Sequence, residues 1–248
     1  MESIKNHWDK IYSNPEQSVF TWTKDIPSTS LLLMDLIHLP KTANIIDIGG
    51  GDSKFVDHLI SLGYKNISVL DISENAIKRA ESRLGDKAES INWIVSDINE
   101  FKPDTTYDLW HDRATFHFLK SQQEIEHYYQ LAHQAIKNSG YLILSTFSDN
   151  GPDKCSGLEV SQYNNTKLTE IFGDGFDRVK CMIEDHITPT NKLQNFIYCL
   201  FKNRIDNSSS NHNTAEDEYV NNKNQDNHDV IVNSNMFCDI RDRGNCCS

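Results

Sequence analysis

Apolar residues along this chain recur with two alternating periods, and the alternation predicts an open α/β sheet. Short apolar-rich runs at 45–48, 66–70, 91–95, 107–110 and 141–146 read as strands buried on both faces. Helical spacing fills the intervals. Phe55, Val56, Leu59, Ile60 and Leu62 give a helix over 54–62. Ala76, Ile77, Ala80 and Leu84 give one over 74–84, stopped by Gly85. A third, over 123–137, is closed by Asn138, Ser139 and Gly140. Two helices precede the first strand, one over 1–12 with Trp8, Ile11 and Tyr12 on one side, the other over 28–39 with Ser28 or Thr29 as N-cap. Residues 147–158 read as a loop and 167–172 as a helical turn. The runs 179–186 and 194–202 flank Thr-Pro-Thr-Asn-Lys and read as a closing antiparallel hairpin. The expected fold is α/β: a three-layer, doubly wound, mostly parallel sheet ending in that hairpin. Residues 1–40 form a helical cap segment and 41–204 one domain.

Composition changes the picture at the C-terminus. Hydrophobic residues make up 38% of the 248, below the usual level of about 45–50%. The deficit falls after Ile205, where Asn, Ser, Asp, Glu and His dominate, so 205–248 is expected to be a disordered Asn-rich tail. The formal net charge of −12, with no Lys/Arg-rich patch, argues against nucleic acid as principal partner. No apolar run is long enough to span a bilayer and the N-terminus lacks a signal-peptide pattern, so a cytoplasmic protein without a membrane partner, monomeric or weakly dimeric, is expected. The six cysteines include no Cys-x-x-Cys pair, which argues against a zinc cluster or disulfide framework.

The candidate chemistry begins where the first strand breaks into Gly49, Gly50 and Gly51. A strand, a glycine turn and a helix form the first half of a nucleotide-binding βαβ unit, with the helix start offering N–H groups to a ligand. Asp71 lies about twenty residues further on, at the end of the second strand, where a carboxylate accepts hydrogen bonds from ribose hydroxyls. The plainer alternative makes it a cap for the next helix.

The stretches Asp-Ile-Gly-Gly-Gly-Asp-Ser (47–53), Leu-Asp-Ile-Ser (70–73) and Val-Ser-Asp-Ile (95–98) resemble motifs I, II and III of class I S-adenosylmethionine-dependent methyltransferases. The resemblance spans roughly residues 6–202. In that family motif I reads D/E-x-G-x-G-x-G; Gly49 and Gly51 match, and Ser53 replaces the third glycine, a position that governs helix–strand packing. The resemblance implies S-adenosyl-L-methionine as cofactor, with its methionine part on Asp47 and the Gly49–Gly51 backbone, its ribose on Asp71 beside Ile72, and its adenine at Asp97 and Ile98. The His-Trp-Asp-x-Ile-Tyr stretch followed by Trp22 resembles the family's entry segment, which folds over the methionine end and would make Trp8, Tyr12 and Trp22 a cover.

Ligands of open α/β sheets bind beyond the carboxyl ends of the strands. The end of the fourth strand therefore places His111, Asp112 and Arg113 as candidate catalytic residues, with Trp110, His117 and Trp22 on the substrate side. A histidine beside an acid can serve as general base, and Asp112 can orient it or attract a cation. The alternatives are an Asp112–Arg113 pair and a His117 that faces a helix neighbour. His111 and His117 lack a third ligand at metal spacing, so no metal site is expected. Cys155 reads as an ordinary loop cysteine. The expected function is methyl transfer to a small thiol, chalcogen or amine. The alternatives are a protein-lysine acceptor, a non-catalytic cofactor-binding scaffold, and an NAD-dependent oxidoreductase.

Overall fold

The computed structural model describes residues 3–14, 20, 23–188 and 191–204, together with the backbone of 230–232. Two helices, α1 (Ile4–Tyr12) and α2 (Ser28–Ile37), precede the sheet. Then follow β1 (Asn44–Ile48), α3 (Phe55–Ser61), β2 (Asn66–Asp71), α4 (Glu74–Leu84), β3 (Ile91–Val95), β4 (Tyr107–Arg113), α5 (Gln122–Ala135) and β5 (Ile136–Phe147). A two-residue pair, β6 (Lys154–Cys155) with β7 (Leu158–Glu159), sits in the stretch expected to be loop. The chain continues through α6 (Asn165–Phe172), β8 (Phe176–Ile187), β9 (Leu193–Asn203) and β10 (Val230–Val232).

The main sheet runs β10-β8-β9-β5-β4-β1-β2-β3, and β9 alone is antiparallel to its neighbours. The doubly wound sheet with its closing hairpin is as the periodicity implies, and β1, with four of five residues buried, lies near its centre. Each face carries its own core. On one, Trp110, Tyr128, Phe172 and Phe201 pack under α5 and α6; on the other, Leu33, Phe55, Val56 and Leu59 pack beneath α2 and α3. Among the described residues no helix is long and apolar enough to cross a membrane.

Local chemistry explains the element boundaries. Ser73 caps α4 by accepting the amide of Ala76 at 3.2 Å, and α5 begins with a Ser121/Glu124 capping box. Neither Ser28 nor Thr29 caps α2, whose N-cap position is Pro27 without a side-chain bond. The expected Asn138-Ser139-Gly140 helix stop is instead strand: α5 ends at Ala135 and β5 starts at once, because Ile136 is buried and pairs with Tyr107. The Asn203 amide, reaching across from β9, donates to the carbonyls of His133 (3.1 Å) and Ile136 (2.8 Å) and closes the helix.

Two further departures lie at the far edge. Cys181 and Cys199, direct partners on β8 and β9, form a disulfide, a cross-strand pairing that their spacing in sequence does not show. Within the expected tail, Val230–Val232 adds a parallel edge strand beside Met182–Glu184; the rest of 205–248 lies outside the described residues.

Candidate functional site

At the carboxyl end of β1 the backbone enters the left-handed region at Gly49, with φ of +63°. A Cβ there would collide with the Thr115 hydroxyl, and one on Gly51 with the Asp71 carboxylate, so the turn threads between two side chains with only bare backbone. Thr115 donates to the Ile48 carbonyl at 3.2 Å, and the Gly50 amide donates to the Leu70 carbonyl at 3.1 Å. Behind the turn, Asp52 pairs with Arg79 (2.9 Å) and Arg83, and Arg83 also reaches Asp57 (2.9 Å) and the Ser53 carbonyl (2.8 Å). Ser53, standing where the family has a glycine, accepts the Phe55 amide at 3.1 Å and so closes the start of α3.

Asp47 is buried under this turn. Its Oδ1 accepts from Nδ1 of His111 at 2.6 Å, while its Oδ2 has no partner among the described residues. A buried carboxylate oxygen without a donor is costly, and it fits a ligand ammonium laid along the glycine turn. Asp71 is also buried. Its Oδ1 accepts the Ser73 amide at 2.8 Å; the helix cap itself is Ser73. Burial, with Asp47 and Asp9 nearby, pushes the Asp71 carboxyl up to about 7. Ile72, Asp97 and Ile98 continue the wall past β2 and β3, with Asp97 accepting the Asn99 amide at 2.9 Å.

Gly49, Asp71, Ile72, Asp97 and Ile98 border a cavity of about 330 Å³ that crosses the sheet edge from β3 to β9, while Asp47 and Gly50 line an adjoining recess. Its far end is walled by Arg113, Thr115, Phe118, Phe147, Cys155 and Phe196. Trp8 and Tyr12 of α1 line it from above. The helix α1 is held there by Asp9, which accepts from the Ser73 hydroxyl at 2.7 Å and the Asn75 amide group at 2.9 Å. Trp8 meets the edge of Phe118 with ring centroids 5.4 Å apart. Trp22 lies outside the described residues.

The residues at the end of β4 separate by strand alternation. His111 points to the α2 side: its Nε2 shares a hydrogen bond with Ser30 Oγ at 2.8 Å and its ring stacks on Phe55 at 4.0 Å. With both nitrogens engaged and the ring buried, it touches only a small recess beside the glycine turn. Trp110 and Asp112 face the opposite core. Trp110 donates to the Tyr128 hydroxyl (3.0 Å), which donates to Asp112 (2.7 Å), and Asp112 also accepts the amides of Thr115 and Phe116. Burial raises the Asp112 carboxyl to about 6. This brace holds the turn in which Ala114 is forced to φ of +70°. His117 lies beneath Phe118 and Phe147, and burial together with Arg113 pushes it down to about 3, so it stays neutral near pH 7. Of the five β4-end candidates, His111, Asp112, Arg113, Trp110 and His117, only Arg113 lines the large cavity.

The residues that sequence reasoning missed come from distant segments: Phe147 at the end of β5, Phe196 from β9 and Lys24 beside the glycine turn, while Cys155, read as an ordinary loop cysteine, also lines the cavity. Burial pushes the Cys155 thiol up. No local motif marks these positions; the signal that bears on them is the hairpin, which returns β9 beside β5 and sets Phe196 opposite Phe147.

Residues 39–224 match the family model described as a methyltransferase domain. A malonyl-[acyl-carrier protein] O-methyltransferase of Ilyobacter polytropus is 32% identical over 105 residues, 42% of this chain. The match spans about two fifths, 39%, of that relative's length. A zebrafish (Danio rerio) EEF1A lysine methyltransferase 2 is 23% identical over 71% of this chain and 76% of its own. The solved structure of Burkholderia thailandensis 1,6-didemethyltoxoflavin-N1-methyltransferase with bound 1,6-didemethyltoxoflavin and S-adenosylhomocysteine matches with a TM-score of 0.63. Identity there is 16%, over 81% of this chain and 88% of that one, a likeness of fold.

Proposed function

The chain belongs to the methyltransferase-domain family, and on that premise we propose that it moves a methyl group from S-adenosyl-L-methionine to a small thiol or chalcogen acceptor by direct in-line displacement. What supports the cofactor is the fit of the near half of the cavity. Gly49 and Asp71 line it, Asp71 suits a pair of hydroxyls, and the orphaned Oδ2 of Asp47, in the adjoining recess beside Gly49 and Gly50, suits an ammonium. When bound, the cofactor supplies a methyl carbon already activated on a sulfonium. The chain then aligns the partners and excludes water, with Trp8 and Tyr12 as the cover.

The observation that carries the acceptor class is the lack of a strong base. Beside Arg113 and Cys155 the cavity is lined by Glu124, whose carboxylate accepts from Ser121 and the Lys120 amide and is held below its usual range by the Ser121 bonds; His111, Asp112 and His117 do not line it. A lysine ammonium, with a reference pKa of about 10.4, would have to shed its proton there unaided, whereas a thiol near 8.5 is already partly ionised at neutral pH. The second reading, a protein lysine, is favoured by the aromatic wall, which suits a cation, and by the net charge of −12. A dinucleotide oxidoreductase fits less well, because β9 is inserted antiparallel between β5 and β8 where such sheets continue in parallel. Incubating a lysate with methyl-labelled cofactor and the protein separates the acceptors. Label in small thiol or chalcogen compounds is expected, and label confined to protein lysines would overturn this acceptor class.

A further inference from the structure

The far end of the large cavity is walled mostly by rings. Trp8, Phe118, Phe147 and Phe196 all line it. They come from four segments: α1, the turn after β4, the end of β5 and the first part of β9. Phe147 and Phe196 are direct cross-strand partners, with centroids 4.7 Å apart and planes tilted by 54°. Trp8 meets Phe118 edge-on at 5.4 Å. Packing behind the wall fixes these rings. Phe147 leans on His117, 4.8 Å away and held neutral near pH 7 by burial, and Phe196 packs beside Tyr198 at 6.4 Å.

The polar groups at this end are already engaged. The Thr115 hydroxyl donates to the Ile48 carbonyl at 3.2 Å. Arg113 donates through Nε to the Tyr198 hydroxyl at 3.0 Å and lies over the Phe196 ring, 5.3 Å from its centroid, with the Glu184 carboxylate offsetting its charge. Burial pushes the Cys155 thiol up, so it stays protonated near pH 7. Glu124 accepts the amides of Lys120 (3.1 Å) and Ser121 (2.8 Å) and the Ser121 hydroxyl (2.8 Å). None of these groups calls for a charged partner. An ionised ligand body would give up its water against rings, and a cation would also stand beside Arg113. An uncharged apolar body gains from burial instead, and ring against ring adds to that gain.

We propose that Trp8, Phe118, Phe147 and Phe196 determine acceptor specificity, and that the acceptor carries its thiol or chalcogen on an uncharged apolar body, best an aromatic ring, and not on an amino acid or peptide. This rests on the methyl-transfer reading above and narrows it.

The test is calorimetry on the full chain loaded with S-adenosylhomocysteine. The probes are 2-phenylethanethiol, 2-aminoethanethiol and 3-mercaptopropionate, which share a thiol on a two-carbon arm and differ in the group it carries. The phenyl compound should bind at least about tenfold more tightly than either charged one. Phe196→Leu keeps an apolar side chain but removes the ring. It should weaken the phenyl compound roughly fivefold, leave the charged thiols within about twofold, and leave S-adenosylhomocysteine within about threefold. General destabilisation would move all four together. Phe118→Ala, at a half-buried ring, should show the same split and decides the matter if Phe196→Leu fails to fold. The proposal is overturned if either charged thiol binds as tightly as the phenyl compound, or if neither ring variant weakens the phenyl compound. It is overturned too if Phe196→Leu costs S-adenosylhomocysteine tenfold, which would give that ring to the donor. Failure of the wild type to bind S-adenosylhomocysteine would instead strike the methyl-transfer reading, and the ranking of the three thiols on the unliganded protein still decides what the wall accepts.

Discussion

The two halves of the cavity are built in different ways. The half over β1, β2 and β3 uses backbone and carboxylates from short contiguous stretches: Gly49, Asp71–Ile72 and Asp97–Ile98. The half over β4, β5 and β9 uses side chains drawn from segments far apart: Arg113, Phe147, Cys155 and Phe196, roofed by Trp8. A site made of turn backbone needs particular residues at particular neighbouring positions, because φ and the absence of a Cβ are local properties. A site made of packed side chains needs only that the sheet bring them together. The first half is therefore expected to be brittle toward single substitutions in donor binding, and the second to govern the acceptor with little effect on the donor.

Gly49→Ala is the sharpest way to break the first half. The left-handed φ alone costs a Cβ-bearing residue about 1–2 kcal/mol, and the new methyl collides with Thr115. Affinity for S-adenosylhomocysteine is expected to fall by roughly tenfold or more on that scale of strain, measured by calorimetry. Asp71→Ala should cost about 1–3 kcal/mol, the scale for a lost hydrogen bond to a charged group. Unchanged affinity would remove Asp71 from the ribose site.

A pH series sharpens the same point. Asp71 is raised to about 7 in the fold, so it accepts hydroxyl hydrogen bonds as a carboxylate only above that pH. Affinity for S-adenosylhomocysteine should fall as pH drops below 7, by up to about tenfold per unit, and Asp71→Asn should flatten that profile. Stability of the unliganded protein should run the opposite way. A folded-state pKa above the unfolded value of 3.8 means tighter proton binding in the native state, so this contribution is fully present below about 4 and lost as pH rises through 7. Asp112, raised to about 6, acts in the same sense. The melting temperature of the unliganded protein should therefore decline from pH 5 to pH 8, and less steeply in Asp71→Asn. The smallest donor effect is expected from Cys181→Ser, on the far edge of the other half. Losing the bridge should cost stability on the order of 3 kcal/mol for a loop of this size and shift S-adenosylhomocysteine affinity by less than about twofold, as expected for independent sites.

The same contrast sets what could be read from the chain. Strand and helix periods gave the layers and the closing hairpin because each depends on nearest neighbours along the element. The near-half residues were legible because they follow glycines at fixed offsets. The β4 end was legible as a place but not in its details. Alternation sent Trp110 and Asp112 to one face and His111 to the other, and only packing decides which face looks into a cavity: Phe55 and Ser30 claim His111, and Tyr128 claims Asp112. Phe196 and Tyr198 could not be seen beforehand, since their approach to Arg113 depends on how β9 registers against β5, with Phe147 opposite Phe196. The Cys181–Cys199 bridge depends likewise on the register of β8 with β9.

The most direct test of the central claim, that the glycine turn and Asp71 form a methyl-donor site, is a thermal-shift comparison of S-adenosylhomocysteine with NAD on the intact chain. A ligand at 100 times its dissociation constant stabilises by about 2.7 kcal/mol. S-adenosylhomocysteine should raise the melting temperature by several degrees in the wild type and much less in Asp71→Ala, with no shift from NAD. A shift with NAD and none with S-adenosylhomocysteine would contradict it.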